Sequence, residues 1–179
     1  EKYASNENAL LLCVIPAADD FQNSKAMQIA KKLDETGERT IGVVTKVDCL
    51  PPGSDLLRKM RQERENDVKL KHGFVAVRNR SQEEVEEELS AEDAKAKETE
   101  IFETHPILKQ LDPGQRGIDD LVDKMVEEQA RLVDAFVPAA IMELIQKRTH
   151  GQKELQAMPK ACDTDEAKRA VLMKASVAI

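Results

Sequence analysis

The chain has 179 residues, of which 41% are hydrophobic, and it carries a formal charge of −7 from 34 acidic and 27 basic side chains. This length suits one large domain, or one domain with an extension, and the apolar content is enough for a sizeable core. The acidic balance argues against nonspecific nucleic-acid binding, which needs a basic surface, so we expect no nucleic acid among the partners. The three cysteines are widely spaced, without a Cys-x-x-Cys or Cys/His cluster, so neither a disulfide framework nor a zinc site is indicated.

The hydropathy of the chain bears on its location. No apolar run approaches the ~20 residues that a membrane-spanning helix needs, and no signal peptide is visible at the start. We therefore expect a cytoplasmic protein, with peripheral attachment to a membrane as the other option. Because the chain begins at Glu1, enters a strand-like run almost at once and ends in a helix-like segment, we also expect it to be cut from something longer.

The first half of the chain alternates strand-like and helix-like segments. Residues 9–15 form a continuous apolar run, typical of a strand buried on both faces of a parallel sheet. Residues 24–33 carry apolar side chains at helical spacing, with Gly37 as the expected C-terminal cap. Short apolar runs at 40–44 and 73–78 predict two more strands. Such alternation is typical of a doubly wound α/β fold, in which right-handed crossovers make the strands parallel.

Two segments between and after these strands are predicted to be helical. Ser54 is expected to cap a short helix that reaches roughly Met60. Residues 83–100 contain nine acidic side chains, and we interpret them as a solvated helix supported by pairs such as Glu92 with Lys95. An acidic partner-binding surface is the alternative interpretation of that segment.

A long periodic segment follows. Residues 118–145 carry one apolar stripe, which ordinarily packs on a core. Pro138 lies inside the stripe and is expected to kink or break the helix. A last helix is expected to start near Asp163 or Thr164 and to run to the end of the chain.

The most informative stretch is Thr45-Lys46-Val47-Asp48, at what should be the carboxyl end of the second strand, where ligands bind in open α/β sheets. A carboxylate fixed there can accept two hydrogen bonds from an N–H and an NH2 group side by side. Guanine offers that pair on its Watson–Crick edge, and adenine does not. The lysine can lay its methylene stem along the purine face. A surface ion pair between Lys46 and Asp48 is the alternative interpretation.

A second motif, Asn79-Arg80-Ser81-Gln82, follows the third strand. Two such motifs, in this order and each at a strand end, resemble the dynamin family of large GTPases, which includes dynamin-related and Mx-like proteins. Phe102-Glu103-Thr104-His105-Pro106 is similar to the family's Phe-x-x-His-Pro segment, and the resemblance runs from end to end of the chain. It implies an α/β fold: a partial P-loop-GTPase-type sheet of mainly parallel strands with flanking helices, followed by long C-terminal helices.

The resemblance implies that guanine nucleotide, with GTP as the substrate, meets seven residues of the two loops: Thr45, Lys46, Asp48, Asn79, Arg80, Ser81 and Gln82. In the first loop the aspartate takes the base edge, the lysine packs over the ring, and Thr45 braces the loop through its hydroxyl. In the second loop Asn79 and Ser81 shape the backbone around the base, with Gln82 at its edge. Arg80 either covers the open face of the nucleotide or is solvated.

The resemblance also divides the chain. Residues 1–136 correspond to the C-terminal half of a dynamin-type GTPase domain, residues 137–158 to a bundle-type helix and linker, and residues 159–179 to the start of a stalk-like helix. The full-length protein is then expected to hydrolyse GTP, to self-assemble through its helical segments and to act in membrane remodelling, with membrane or cytoskeletal contacts made by other regions. The apolar positions of the two last helices are expected to be exposed for that association: Ile141, Leu144, Ile145, Ala170, Val171, Met173 and Val177.

The phosphate-binding half of a GTPase has no counterpart in this sequence. Nothing matches G-x-x-x-x-G-K-[ST], and no Asp-x-Pro-Gly is present. We therefore assign no catalytic residue and no metal ligand, expect Mg²⁺ only through residues outside the chain, and expect residues 1–179 alone not to hydrolyse GTP. The isolated histidines, His72, His105 and His150, receive no metal or catalytic role, and His105 is expected to hydrogen-bond in a turn.

Two other classes of protein compete with this interpretation. In a non-catalytic GTPase-like assembly scaffold, the α/β part would only support the helices. An intact Lys46 and Asp48 argue against that class, because a scaffold needs no guanine-reading carboxylate. A flavodoxin-like receiver domain would place an acidic pair directly at the end of its first strand, where this sequence has Pro16-Ala17-Ala18, and it would have no counterpart of the second motif at 79–82.

Overall fold

The computed structural model describes residues 2–51, 53–63, 69–158 and 164–176. The chain divides into two compact units, Glu1–Asp134 and Ala135–Ile179. Three strands run in chain order: β1 (Leu11–Pro16), β2 (Thr40–Thr45) and β3 (Phe74–Ala76). The α-helices are α1 (Lys25–Leu33), α2 (Leu56–Met60), α3 (Gln82–Glu86), α4 (Ala91–Thr104), α5 (Gly117–Ala157) and α6 (Asp165–Ser176). Short 3₁₀ turns occupy Val47–Cys49 and Leu108–Gln110.

The three strands form one parallel sheet in the order β1-β2-β3. Val43 of β2 lies opposite Val14 of β1 and Val75 of β3. The parallel pairing confirms the predicted α/β fold with flanking helices and long C-terminal helices. Its cause is connectivity: β1 and β2 are each followed by a helical crossover that returns the chain to the same end of the sheet.

Helices cover both faces of this sheet. One face packs its inward side chains, such as Ile15 and Val44, with Met27 of α1 and Leu56 of α2. The other face forms a smaller cluster that includes Val43 and Val75 with Leu121 and Met125 of α5. Period-2 alternation along each strand sends neighbouring residues to opposite clusters. α1 and the first turns of α5 therefore cover opposite faces of the sheet, in agreement with the expected flanking helices.

The prediction that the first strand is buried on both faces is wrong. Cys13 and Ile15 are buried, but Leu12 and Val14 are 42% and 51% exposed. Within the described residues β1 pairs only with β2, and the smaller cluster, in which α5 packs on β2 and β3, does not include Leu12 or Val14. An apolar run of this kind indicates a strand with at least one buried face, and it does not distinguish one buried face from two.

Two predicted caps are also wrong. α1 ends at Leu33 with Asp34 as its cap, and not at Gly37, because the Asp34 carboxylate accepts hydrogen bonds from the N–H groups of Glu38 and Arg39 and turns the chain there. Asp55, and not Ser54, precedes α2.

The acidic segment is helical and mostly exposed, as predicted, but it is not a single helix. It folds as α3 and α4, and Glu84 and Glu98 within it are only 7% and 5% exposed. Lys95 pairs with Asp119 at 2.6 Å rather than with Glu92. Charge composition alone could not indicate this, because the partners of the buried carboxylates lie up to 20 residues away in the chain.

The segment around His105 follows the expectation. Phe102 and Leu108 are buried in the larger core cluster. The His105 Nδ1 atom accepts from the N–H of Ile107 at 3.3 Å and from the N–H of Leu108 at 3.4 Å. His105 therefore stabilises a turn, as predicted.

The C-terminal helices carry exposed apolar side chains. α5 continues through Pro138, so of the expected kink or break, the break is wrong. Pro138 removes one backbone N–H donor from a helix of 41 residues. Ile141, Leu144 and Ile145 are 50%, 65% and 43% exposed, as predicted. Met173 of α6 is 73% exposed, whereas Val177 and the side chain of Val171 lie outside the described residues. No helix in the described part of the chain combines the length and apolar character needed to cross a bilayer.

Candidate functional site

The two sequence motifs lie at one edge of the sheet. Thr45 is the last residue of β2, and the Val77 N–H, just beyond β3, donates to the Val44 carbonyl at 2.8 Å. Because β2 and β3 are adjacent and parallel, the loops that follow them leave the sheet at the same, carboxyl edge. In open α/β sheets this edge is where ligands bind. We call residues 45–49 the first loop and residues 78–82 the second loop.

Two buried side chains hold the first loop in place. Val47 is fully buried and Leu50 is 8% exposed, so both pin the loop to the core. Lys46 and Asp48, which alternate with them, are exposed. The fold thus exposes the Lys46 ammonium and the Asp48 carboxylate to solvent on a loop that is anchored by buried side chains.

Lys46 adopts an uncommon backbone conformation. Its φ is 55°, in the left-handed region, which non-glycine residues rarely adopt. The Cys49 N–H donates to the Lys46 carbonyl at 3.1 Å and closes the 3₁₀ turn that carries Asp48. Such local strain is typical of functional sites, where the surrounding structure over-determines the backbone.

Thr45 is tied to the neighbouring strand through its main chain. Its carbonyl accepts from the Ala17 N–H at 2.8 Å. The Thr45 hydroxyl, which was predicted to brace the loop, has no hydrogen-bond partner in the part of the chain that the structure describes. In the same described part, neither Lys46 nor Asp48 forms an ion pair.

A cluster of charged side chains organises the second loop. The Nη2 atom of Arg78 lies 2.7 and 2.8 Å from the two carboxylate oxygens of Glu84, and Lys97 Nζ lies 2.8 Å from Glu84 Oε1. These hydrogen bonds, together with one from the Ser81 N–H, lower the pKa of Glu84 to about 2. The carboxylate is therefore ionised throughout the physiological range and holds Arg78 against α3.

The four predicted residues of the second loop occupy different positions. Ser81 caps α3 in a capping box: its hydroxyl accepts from the Glu84 N–H, and the Glu84 carboxylate accepts from the Ser81 N–H. Asn79 is exposed. Arg80 is also exposed and donates through Nη1 to the Leu89 carbonyl at 2.7 Å. Gln82 begins α3 and donates to Glu86 at 3.0 Å.

Sequence reasoning missed Arg78, Glu84, Lys97 and Glu98. The spacing Ser81-x-x-Glu84 is the signature of a capping box and could have identified Glu84. No comparable signal points to Glu98, which lies in the middle of α4. Its partners are set by tertiary packing alone.

The cavities next to the sheet differ in their relation to the motifs. A cavity of about 220 Å³ is lined by residues that include Asp34 and Thr40. Thr40 is the first residue of β2, so this cavity lies at the opposite end of the strand from the first loop. A second cavity, of about 190 Å³, is lined by Asn79 and Arg80 among others and adjoins the second loop. Among the described residues, no group of three or more His, Cys, Asp or Glu side chains is placed to hold a metal ion.

The low pKa of Glu84 predicts how this cluster responds to acid. A carboxylate whose pKa is lowered by folding contributes stability above its unfolded pKa of about 4.3, and that stability is lost as pH falls toward 2. We expect Glu84→Gln to lower the thermal midpoint at pH 7 and to flatten its decline between about pH 5 and pH 2. Circular dichroism melts across this range measure both effects. The exposed neighbour Glu83→Gln is the matched control, and parallel curves for wild type and Glu84→Gln would contradict the assignment.

Comparison with known proteins places the chain in a family. A family model described as the dynamin central region matches residues 60–178, and one described as the dynamin family matches residues 1–47. The chain is 33% identical over 172 residues to dynamin-related protein 4C of Arabidopsis thaliana, covering 96% of this chain and 24% of that protein.

Two other relatives show the breadth of the match. The interferon-induced GTP-binding protein Mx of Ctenopharyngodon idella is 29% identical over 167 residues, which cover 93% of this chain and 26% of that protein. Dynamin-1 of Rattus norvegicus is 39% identical over 111 residues, which cover 62% of this chain and 12% of that protein. The chain thus spans about a quarter or less of the length of these relatives. Since the central-region model covers more than half of the chain, the chain belongs to the dynamin family.

Proposed function

We propose that the first and second loops bind the base of a guanine nucleotide. The observation that carries the proposal is the Asp48 carboxylate, which is exposed, has no ion-pair partner among the described residues and stands on a loop pinned by Val47 and Leu50. A carboxylate in this setting accepts hydrogen bonds from the adjacent N–H and NH2 groups of guanine. The exposed Lys46 beside it packs its stem over the ring.

The second loop supplies the other wall of this base site. The Arg78–Glu84 pair and the Ser81 cap hold its backbone, so that Asn79 lies open to the nucleotide. Arg80 uses one of its five N–H donors on the Leu89 carbonyl, and the others remain for the open face of the nucleotide. Thr45 and Gln82 stand at the ends of the two loops and complete the set of seven residues.

In its full-length form, we infer, the protein hydrolyses GTP. A relative named as a GTP-binding protein, and membership of a family of large GTPases, support this. Residues 1–136 are then the C-terminal half of the GTPase domain, followed by a bundle-type helix and linker (137–158) and the start of a stalk-like helix (159–179). The described residues do not fit Mg²⁺, since Asp48 stands without a second carboxylate at its loop and no metal-binding cluster is present among them. We assign the metal to other residues of the full-length protein.

The exposed apolar face of the second unit supports a role in self-association. Ile141, Leu144 and Ile145 share one side of α5, and apolar faces of this kind pack against other helices. We propose that the protein assembles through these helices in the cytoplasm and takes part in membrane remodelling. Contacts with membrane or cytoskeleton would be made by other regions.

Residues 1–179 alone are expected to show no GTP turnover above background. The base edge supplies about two charge-assisted hydrogen bonds of roughly 1.5–3 kcal/mol each, and association costs at least ~4 kcal/mol, so binding should be no tighter than about millimolar. The sequence contains no match to the phosphate-binding loop that would anchor the triphosphate.

A phosphate-release assay on this chain and on the full-length protein tests the proposed function. We expect turnover of GTP, and not of ATP, only in the full-length protein, and we expect Asp48→Ala to abolish it. Turnover by residues 1–179 that disappears with Asp48→Ala would show that the phosphate site lies within this chain. A full-length protein that binds neither GDP nor GTP would overturn the proposed function.

A further inference from the structure

The Glu98 carboxylate joins two distant segments of the first unit. Glu98 lies in α4 and is 5% exposed. Its Oε1 atom accepts from the Arg78 N–H at 2.8 Å, and its Oε2 atom accepts from the Ile118 N–H at 3.0 Å. An ionised carboxylate only accepts hydrogen bonds, so each oxygen is matched to one backbone donor. This pairing is what makes the burial of its charge tolerable.

Both donors lack a partner in regular secondary structure. Arg78 opens the second loop, two residues beyond the end of β3. Ile118 belongs to the first turn of α5, where helical N–H groups have no carbonyl to bind. The Glu98 side chain therefore accepts hydrogen bonds from both the start of the second loop and the start of α5.

The Glu98 carboxylate packs closely against the start of α5. Gly117 has a φ of 82°, and a Cβ atom there would lie 3.1 Å from Glu98 Oε2. The other link between α4 and α5, the exposed Lys95–Asp119 pair, is of a kind that contributes little. The hydrogen bond between Ile118 and Glu98 is shielded from solvent, and it is therefore the stronger of these two links.

We propose that Glu98 is a positioning residue of the guanine site, which holds the second loop against the first turn of α5 and so sets how long the nucleotide stays bound. The inference rests on the proposed function. Glu98 itself does not contact the nucleotide in this proposal. The base preference should therefore remain a property of Asp48, while the dissociation rate depends on Glu98.

The substitution Glu98→Gln tests this in the full-length protein. An amide has one accepting oxygen and one donating NH2, so one of the two backbone N–H groups loses its acceptor whichever way the amide is turned. Loss of a hydrogen bond to a charged group corresponds to about a tenfold change or more. We expect dissociation of a fluorescent GDP derivative to accelerate about tenfold, with the preference for guanine over adenine unchanged. Hydrogen exchange should become faster in both segments 77–82 and 117–121.

The dissociation rate separates positioning from simple destabilisation, because it is measured only on molecules that are folded and loaded. Glu100→Gln, on the exposed side of the same helix, is the matched control and should leave the rate unchanged. A Glu98→Gln rate within twofold of wild type, or faster exchange in only one of the two segments, would overturn the inference. If the wild-type protein binds no GDP at all, the proposed function fails and the inference fails with it. A wild type that binds normally beside an unaffected variant overturns the role of Glu98 alone.

Discussion

Asp48→Asn in the full-length protein is expected to weaken GTP binding and to shift the preference toward xanthine nucleotides. The carboxylate accepts hydrogen bonds from the guanine N–H and NH2 groups, whereas an amide can donate to the xanthine oxygen that replaces the NH2. Sites built on buried hydrogen bonds discriminate by large factors, roughly 10⁴ or more. Equilibrium binding of GTP and XTP to both proteins measures the exchange of preference.

The structure makes Asp48→Asn a clean test. Asp48 is exposed, and the loop that carries it is held by Val47 and Leu50 rather than by the carboxylate. We therefore expect an unchanged thermal midpoint alongside the altered specificity. Asp123→Asn, at an exposed position on α5, is the control and should alter neither quantity. GTP and XTP affinities that keep their wild-type order would remove Asp48 from the base site.

Gly42→Ala is expected to give a large loss of stability. A Cβ atom at this position of β2 would lie 2.1 Å from Phe74 Cδ1 and 2.4 Å from Phe74 Cε1. Phe74 is 1% exposed and stacks against Phe21 with ring centroids 5.0 Å apart, so the ring cannot withdraw without moving the core. Overpacking of this kind costs about 1–3 kcal/mol or more. Because Gly42 and Phe74 are register partners, the strain falls on the β2–β3 pair from which both loops leave.

Urea unfolding followed by circular dichroism measures this cost. Gly151→Ala is the matched control: it lies in α5, its Cβ atom would meet nothing within 4 Å, and it should stabilise the helix by up to ~1 kcal/mol. A second variant, Phe74→Leu, removes the ring that causes the clash. The double variant should therefore lose less stability than the sum of the two single variants. Additive losses, or an unchanged midpoint for Gly42→Ala, would contradict this account.

Local sequence patterns were sufficient to predict the three strands and the two loops that follow the second and third strands. Short apolar runs near residues 9–15, 40–44 and 73–78 marked the positions of three strands to within a few residues, because period and β-propensity are properties of neighbouring residues. Their alternation with helices implied parallel pairing, since right-handed crossovers leave few other arrangements. Parallel pairing in turn placed Asp48 and Asn79 in loops at the same edge of the sheet.

Local patterns failed where burial depends on residues far away in the chain. Leu12 and Val14 resemble core residues in sequence, yet they are exposed, because the cluster that α5 forms with β2 and β3 does not include them. Pro138 stands within the 41 residues of α5, where it removes one backbone donor without ending the helix.

By itself, the sequence determined the three strands, their parallel direction and the family resemblance that the comparisons then showed. Only the tertiary structure decided which charges are buried. Glu84 and Glu98 lie in a stretch whose composition indicates a solvated surface, but folding brings Arg78, Lys97 and two backbone N–H groups against them. A buried carboxylate is stable only where such donors converge, and that convergence is a property of packing between segments rather than of any one segment.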